Sequence, residues 1–530
     1  MHNNPKYQNA IALMNARQWQ QAEFELGHLM LLNPQQPALY AALSECAYYR
    51  RQMRQAIAFR DKAYACLGEM PSFHDVLYVS KLFHFTGEAA QALGILESTV
   101  SRQAIDDRQR LDLAIFYLSL DAVAEALATY SAVPATQFND YDRTMQAMAV
   151  LYSGNVDSAR ELFLEALRIN PANAGAAHRL SMLDVAEGRS ARIAHCRAAL
   201  NSTGPMQQAL LQFALFNELD AAGDTQAAFE ALAAANAVPK RMGGHDSQLE
   251  TRLAEAFVSQ LATVDFSGSK DIAPNADKPA PVFILGLPRT GTTLLEKLIA
   301  DRNDLAAVGE HMTFRKGIER QTGQVLGSLY ELAENGPLSD IDPAVLGSFY
   351  RKNSEWRASG HAFYTDKEPT NYMFCGFLAK ALPDCRILHI RRNPMDACFS
   401  MYKQYFAPGS FECSYDLDDL AAHYLNYERV MAFWRQTLGR RMHEIRYEEL
   451  VSDPDRVIAD ALAYCRFGKA LDAAAGYRTS TLSAAQVQKP VNRSGINAWA
   501  KYAEYLQPLR ARLDGPYTAY MQAIAGAEIL

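Results

Sequence analysis

The sequence predicts two unlike halves: an all-helical solenoid, then an α/β domain with a mostly parallel sheet. Three observations carry this. Alanines inside amphipathic segments recur about every 34 residues up to residue 237. From residue 282 the pattern changes to apolar runs that end in polar clusters, each leading into a helical pattern. The first of these runs opens into a glycine-rich turn, FILGLPRTGTTLLEKLI at 283–299. The boundaries that follow are 1–237 for the helical half, 238–280 for a linker carrying one helix, and 281–530 for the α/β domain.

Length and composition fit this division. The chain has 530 residues, and domains of about 100–200 residues are the rule. With 59 acidic against 52 basic residues, it has no overall electrostatic footprint for nucleic acid or an anionic membrane surface. The amino terminus lacks the charged and apolar regions of a signal peptide, and no apolar run approaches the ~18 residues of a membrane span. A cytoplasmic location is expected. The eight cysteines form no C-x-x-C pair and have no histidine at metal-ligand spacing, so buried reduced thiols and no metal are expected.

In the helical half the recurring alanines are Ala22, Ala56, Ala92, Ala126, Ala159, Ala191 and Ala227, with successive gaps of 34, 36, 34, 33, 32 and 36 residues. A small residue at fixed period lets two antiparallel helices approach closely, the signature of helix–turn–helix repeats. LLNP at 31–34 and RINP at 168–171 end helices where such a repeat requires. This half resembles tetratricopeptide repeats, about seven of them, in degenerate copies without the family's tryptophan. The resemblance implies a concave recognition surface for a peptide or partner protein.

PKRMGG at 239–244 and SGSKDIAPNADKPAP at 267–281 flank the linker helix. Beyond it, VFILGL, HAFYTDK, RILHIRR and HEIRYEEL read as strands whose carboxyl ends carry polar residues. Ligands of such sheets bind beyond those ends. The turn from Gly286 to Gly291, followed by Thr292 and Thr293, fits the phosphate-loop pattern G-x-x-x-x-G-K-S/T except that Thr292 replaces the lysine. Successive backbone N–H groups and a helix amino terminus can cradle a phosphate there. Without the lysine that neutralises β/γ-phosphates, the loop is wrong for nucleoside triphosphate hydrolysis. It suits a single phosphate with Arg289 at its edge.

PRTGTT at 288–293 also resembles the P-R/K-S/T-G-T-T loop of sulfotransferases, which holds the 5′-phosphosulfate end of 3′-phosphoadenosine 5′-phosphosulfate. That resemblance implies donor contacts from Arg289, Thr290, Gly291, Thr292 and Thr293. RILHIRRNPMDACFS supplies Arg392 and, eight residues on, Ser400, the family's pair for the 3′-phosphate. AAVGE ends in Glu310, which lies 21 residues after Arg289 and matches the glutamate base of tyrosylprotein sulfotransferases. An acceptor hydroxyl needs such a base, because it attacks better as it loses its proton. TDKEPTN supplies Lys367, matching the family's lysine that stabilises the leaving phosphate. TLSAAQVQKPVN resembles a late S-x-x-Q-V-x-x-P segment, giving Ser483 near the sulfonate and Gln486 over the nucleotide. Tyr447 in IRYEELVSDP matches a family tyrosine.

Two departures stand out. Gln404, with Lys403 beside it, occupies a position that is basic in the tyrosylprotein enzymes, and Ala498 precedes Trp499 where they carry a lysine. Arg493 in NRSG, similar to the R-K-G segment of cytosolic sulfotransferases, is the expected substitute at the 3′-phosphate. The resemblance covers about residues 281–510. It implies a sulfotransferase domain using 3′-phosphoadenosine 5′-phosphosulfate as cosubstrate, without a metal, on a hydroxyl acceptor. The acceptor is left open between a tyrosine of a peptide or protein, presented through the repeats, and a small-molecule, sugar or lipid hydroxyl. A repeat scaffold with a merely nucleotide-binding domain is the rival from outside enzymology.

Overall fold

The structure is a computed structural model and describes residues 4–267, 272–274, 278–301, 305–328, 330–334, 336–407, 409–467, 481 and 484–527. Among these, the segment from Pro5 to Gly243 forms seven successive helix pairs, from Pro5–Asn15 with Trp19–Leu32 to Pro205–Ala222 with Thr225–Gly243. The predicted alanine period has a structural cause in most of them. Ala22, Ala56, Ala92, Ala126 and Ala159 each occupy the fourth position of the second helix of a pair, and each is fully buried. A larger side chain there would push the paired helices apart.

The last two pairs depart from the expected register. Ala191 is exposed, and the fourth residue of its helix, Arg189–Ala199, is Arg192. Arg192 donates from Nε and Nη2 to the buried carboxylate of Glu218 at 2.5 and 3.0 Å, so an ion pair replaces the close small-residue contact. In the last pair Ala228, rather than Ala227, is fully buried. Helices Trp19–Leu32 and Val156–Ile169 end one residue before the Asn-Pro pairs, as expected.

The α/β half contains β1 (Ala280–Leu285), β2 (Leu305–Ala306), β3 (Phe363–Asp366), β4 (Arg386–Arg391) and β5 (His443–Arg446). They form one parallel sheet in the order β2-β3-β1-β4-β5. All five strands therefore end on the same edge, with β1 central and fully buried. A parallel sheet covered on both faces needs such continuous apolar runs.

The two halves share a core. Phe213, Phe216, Leu232, Leu253 and Phe257 belong to the same apolar cluster as Phe283, Leu285 and Phe314. The helix between the halves, Ser247–Leu261, contributes Leu253, Ala254, Phe257 and Leu261 to that core. Further along, Lys316 donates from Nζ to the Tyr48 hydroxyl at 2.8 Å. Among the described residues, no helix is long and apolar enough to cross a membrane. All eight cysteines are free thiols, seven of them buried.

Overpacking a close helix contact costs about 1–3 kcal/mol, whereas exposed positions tolerate change to within about 0.5 kcal/mol. Ala159→Leu should therefore lose about 1–3 kcal/mol in urea unfolding and Ala191→Leu almost nothing. Equal losses would contradict the register described here.

Candidate active site

Each strand hands one polar residue to the shared carboxyl edge. The loop after β1 carries Arg289, β2 leads to Glu310, and β3, β4 and β5 are followed at once by Lys367, Arg392 and Tyr447. With the exception of Lys367, these residues line one cavity of about 1970 Å³.

The loop after β1 depends on two glycines. A Cβ at Gly286 would lie 2.5 Å from the Ile390 carbonyl oxygen, and one at Gly291, where φ is +106°, would lie 2.7 Å from the Tyr447 ring. Arg289 itself holds φ +68°, a conformation uncommon for a non-glycine residue, and this turns its side chain toward Gln486. Nη2 of Arg289 donates to Gln486 Oε1 at 2.8 Å. Burial, then the Arg392 charge nearby, lowers the Arg289 pKa to about 10, so it stays cationic at neutral pH. Thr292 and Thr293 open the helix Thr292–Ala300, whose amino terminus faces the cavity. The Thr290 hydroxyl instead donates to the Leu287 carbonyl at 2.7 Å and serves the turn.

Glu310 is presented by a strap pinned from beneath. The fully buried Glu296, on the helix that follows the loop, accepts from the Gly309 N–H at 3.0 Å and from the Thr365 hydroxyl. Thr365 in turn accepts from the Val308 N–H at 2.8 Å, and the Lys367 N–H donates to the Gly309 carbonyl at 2.9 Å. Lys367 sits fully buried under Glu310 and donates from Nζ to its carboxylate at 2.6 Å. Burial opposes the ammonium charge, but the carboxylates of Glu310 and Glu296 outweigh it and raise the Lys367 pKa.

Arg392 is buried and donates from Nη1 to the Arg289 carbonyl at 2.9 Å and from Nη2 to the Gly495 carbonyl at 2.5 Å. Its guanidinium lies 4.5 Å from the centre of the Tyr447 ring, and its Nε is buried without a hydrogen-bond partner. Ser400, on the helix Pro394–Tyr402, lines the same cavity. Asp396 of that helix accepts from the N–H groups of Asn497 and Trp499, which ties the 495–499 strip over the site.

Of the residues read from the sequence, Arg493 lies apart: it donates to the Ser452 carbonyl at 3.3 Å and is absent from the cavity lining. Gln404 is buried and donates to the Tyr405 carbonyl. Lys403 lines the cavity, its pKa lowered to about 8 by burial and by the charges of Arg392 and Arg289, against the opposing pull of Asp220. Ser483 lies outside the described residues.

The helical half supplies walls that its repeat pattern gave no means of foreseeing. Tyr48, Arg179 and Asp220 line the cavity. Asp220 accepts from Lys501 Nζ and, at 2.7 Å, from the Tyr502 hydroxyl. The short helix Ala484–Val487, which bears Gln486, packs its Ala484 into a cluster with Ala147, Met148 and Leu151 of the fifth helix pair.

Residues 281–468 match the model of the Sulfotransferase family, so the C-terminal half carries a sulfotransferase-family domain on a parallel α/β sheet. An uncharacterized protein of Aquifex aeolicus is 26% identical over 374 residues, covering 67% of this chain and 48% of that protein. The chain thus spans about half the length of that relative. The sulfotransferase domain of the curacin biosynthetic pathway covers 44% of this chain and 98% of its own, at 17% identity and a TM-score of 0.29. A sulfotransferase from Alicyclobacillus acidocaldarius covers 46% of this chain and 96% of its own, at 16% identity and a TM-score of 0.25.

Proposed function

We propose that the protein transfers sulfonate from 3′-phosphoadenosine 5′-phosphosulfate to a hydroxyl acceptor. The observation that carries this reading is the convergence of Arg289, Glu310, Lys367, Arg392 and Tyr447 from five strand ends. A module that only bound nucleotide would have no use for a carboxylate paired to a buried lysine at that edge.

The 286–293 loop and the amino terminus of Thr292–Ala300 hold the 5′-phosphosulfate. Arg392 and Ser400 take the 3′-phosphate, and Lys403, which faces the same cavity, replaces Arg493 as the additional cation there. Gln486 and the 495–499 strip cover the nucleotide, and Ser483 is a further donor to the sulfonate. Glu310 accepts the proton of the acceptor hydroxyl as its oxygen bonds to sulfur. The bridging S–O bond breaks on the opposite side, and its electron pair goes to the 5′-phosphate. Once Glu310 is protonated, its attraction for Lys367 falls, which frees the ammonium for the negative charge growing on the bridging oxygen.

The cavity exceeds the ~300–1,000 Å³ of an ordinary small-ligand cleft, leaving room for an acceptor beside the nucleotide. Because helix pairs of the N-terminal half supply Tyr48, Arg179 and Asp220 to its wall, a tyrosine of a peptide or protein is the acceptor this reading favours.

Glu310→Gln keeps a hydrogen-bond partner for Lys367 but removes the base. Transfer from labelled donor should fall by ~10²–10⁴, with calorimetric affinity for adenosine 3′,5′-bisphosphate unchanged. Activity within a fewfold of the parent removes Glu310 from the mechanism.

Lys403 gives the donor site a pH dependence. A bound phosphate dianion favours the protonated lysine, so binding takes up a proton once the free side chain has lost its own. With a pKa of about 8, affinity for the bisphosphate should be level near pH 7, where its phosphates are still largely dianionic, and fall by up to about tenfold per unit above pH 8. Lys403→Met should abolish that slope; a slope that persists in the variant assigns it to another group.

A further inference from the structure

The cavity also reaches a second cluster, which sulfonate transfer does not use. Glu250 comes from the helix Ser247–Leu261, which joins the two halves, Cys413 from the short turn Glu412–Tyr415, and His423 from the helix Leu417–Leu438. One donor atom from each lies within 4.8 Å of the other two, and all three residues are buried. Nδ1 of His423 is 2.6 Å from Glu250 Oε1, and His245 places Nε2 3.0 Å from Glu250 Oε2. His423 Nε2 is buried, and the ring also meets the Cys413 thiol. The four side chains all line the cavity, so the cluster is reachable from solvent.

We propose that Glu250, Cys413 and His423 bind one zinc-class divalent cation, with His245 at the rim beside the carboxylate. The donor set is the first reason: a carboxylate oxygen, an imidazole nitrogen and a thiolate sulfur together suit a borderline-soft divalent ion rather than calcium or magnesium. The spacing is the second. Zinc bonds of about 2.0–2.3 Å in a tetrahedron put neighbouring donors ~3.3–3.8 Å apart, well within reach of atoms already inside 4.8 Å of one another.

Charge is the third reason. With an ion bound, the carboxylate, the thiolate and the neutral imidazole sum to minus two, which the divalent charge cancels, so the loaded site leaves no uncompensated buried charge. Binding releases the Cys413 proton and, from the His423 nitrogen that meets the ion, the proton of the imidazolium to solvent, and involves no change of oxidation state. The ion would lock the joining helix to Leu417–Leu438 and so fix the helical half over the cavity. The sequence hides this site because Glu250 and His423 are 173 residues apart.

The test uses the full chain, stripped with chelator and titrated with Co²⁺ as a spectroscopic stand-in for Zn²⁺. One equivalent should bind and give both visible d–d bands and a near-ultraviolet thiolate-to-cobalt band. Cys413→Ser, nearly isosteric, should lose the thiolate band and weaken binding tenfold or more, and Zn²⁺ should raise the thermal midpoint of the parent but not of this variant. His423→Gln gives a second reading of affinity where it folds. Failure of the parent to take up Co²⁺, or an unchanged thiolate band in Cys413→Ser, overturns the proposal.

Discussion

The buried carboxylate of Glu296 is the joint on which the site is built. It sits on the helix that follows the glycine loop, yet it accepts from the Gly309 N–H and the Thr365 hydroxyl, one group beyond β2 and the other within β3. A buried carboxylate is stable only when fully hydrogen-bonded. Meeting that need locks the loop helix, the Glu310 strap and the Lys367 strand into one geometry. Its charge also helps keep Lys367 protonated at a fully buried position. Without this joint, the parallel sheet would align five strand ends but not the chemistry they carry.

The helical half is joined to this arrangement by packing rather than by a flexible tether. Its last pair and the joining helix share a core with the sheet. Its fifth pair buttresses the short helix of Gln486, and Asp220 holds the Lys501–Tyr502 corner. A wall built this way has a fixed position relative to Arg289 and Glu310. On the proposed function, such a wall would orient a bound acceptor by remote contacts that never touch the breaking bond.

Much of the site could be read from the sequence because strand ends announce themselves. An apolar run followed at once by Lys367, Arg392 or Tyr447 fixes both the place of the residue and its edge of the sheet. What failed was the direction of side chains between regular elements. Arg493 and Lys403 are both cations near the right segments, but only Lys403 faces the cavity, and no spacing rule distinguishes them. The alanine period failed where chemistry changed: Arg192 takes the small-residue position and meets Glu218, so the neighbouring Ala191 was a false match. Glu296 carried no signal, since a lone glutamate in TTLLEKLI looks like an exposed helix residue. Arg179 and the Glu250–Cys413–His423 cluster depend on tertiary contacts alone.

The account rests on the carboxyl edge being one site for a nucleotide phosphorylated at both ends. Calorimetry of adenosine 3′,5′-bisphosphate against adenosine 5′-monophosphate, on the parent and on Arg392→Ala, tests this directly. The parent should bind the bisphosphate more tightly. Arg392→Ala should lose about 1.5–3 kcal/mol for it, a charged hydrogen-bonding loss, and almost nothing for the monophosphate. Equal losses for both nucleotides, or a parent that binds them equally, would contradict it.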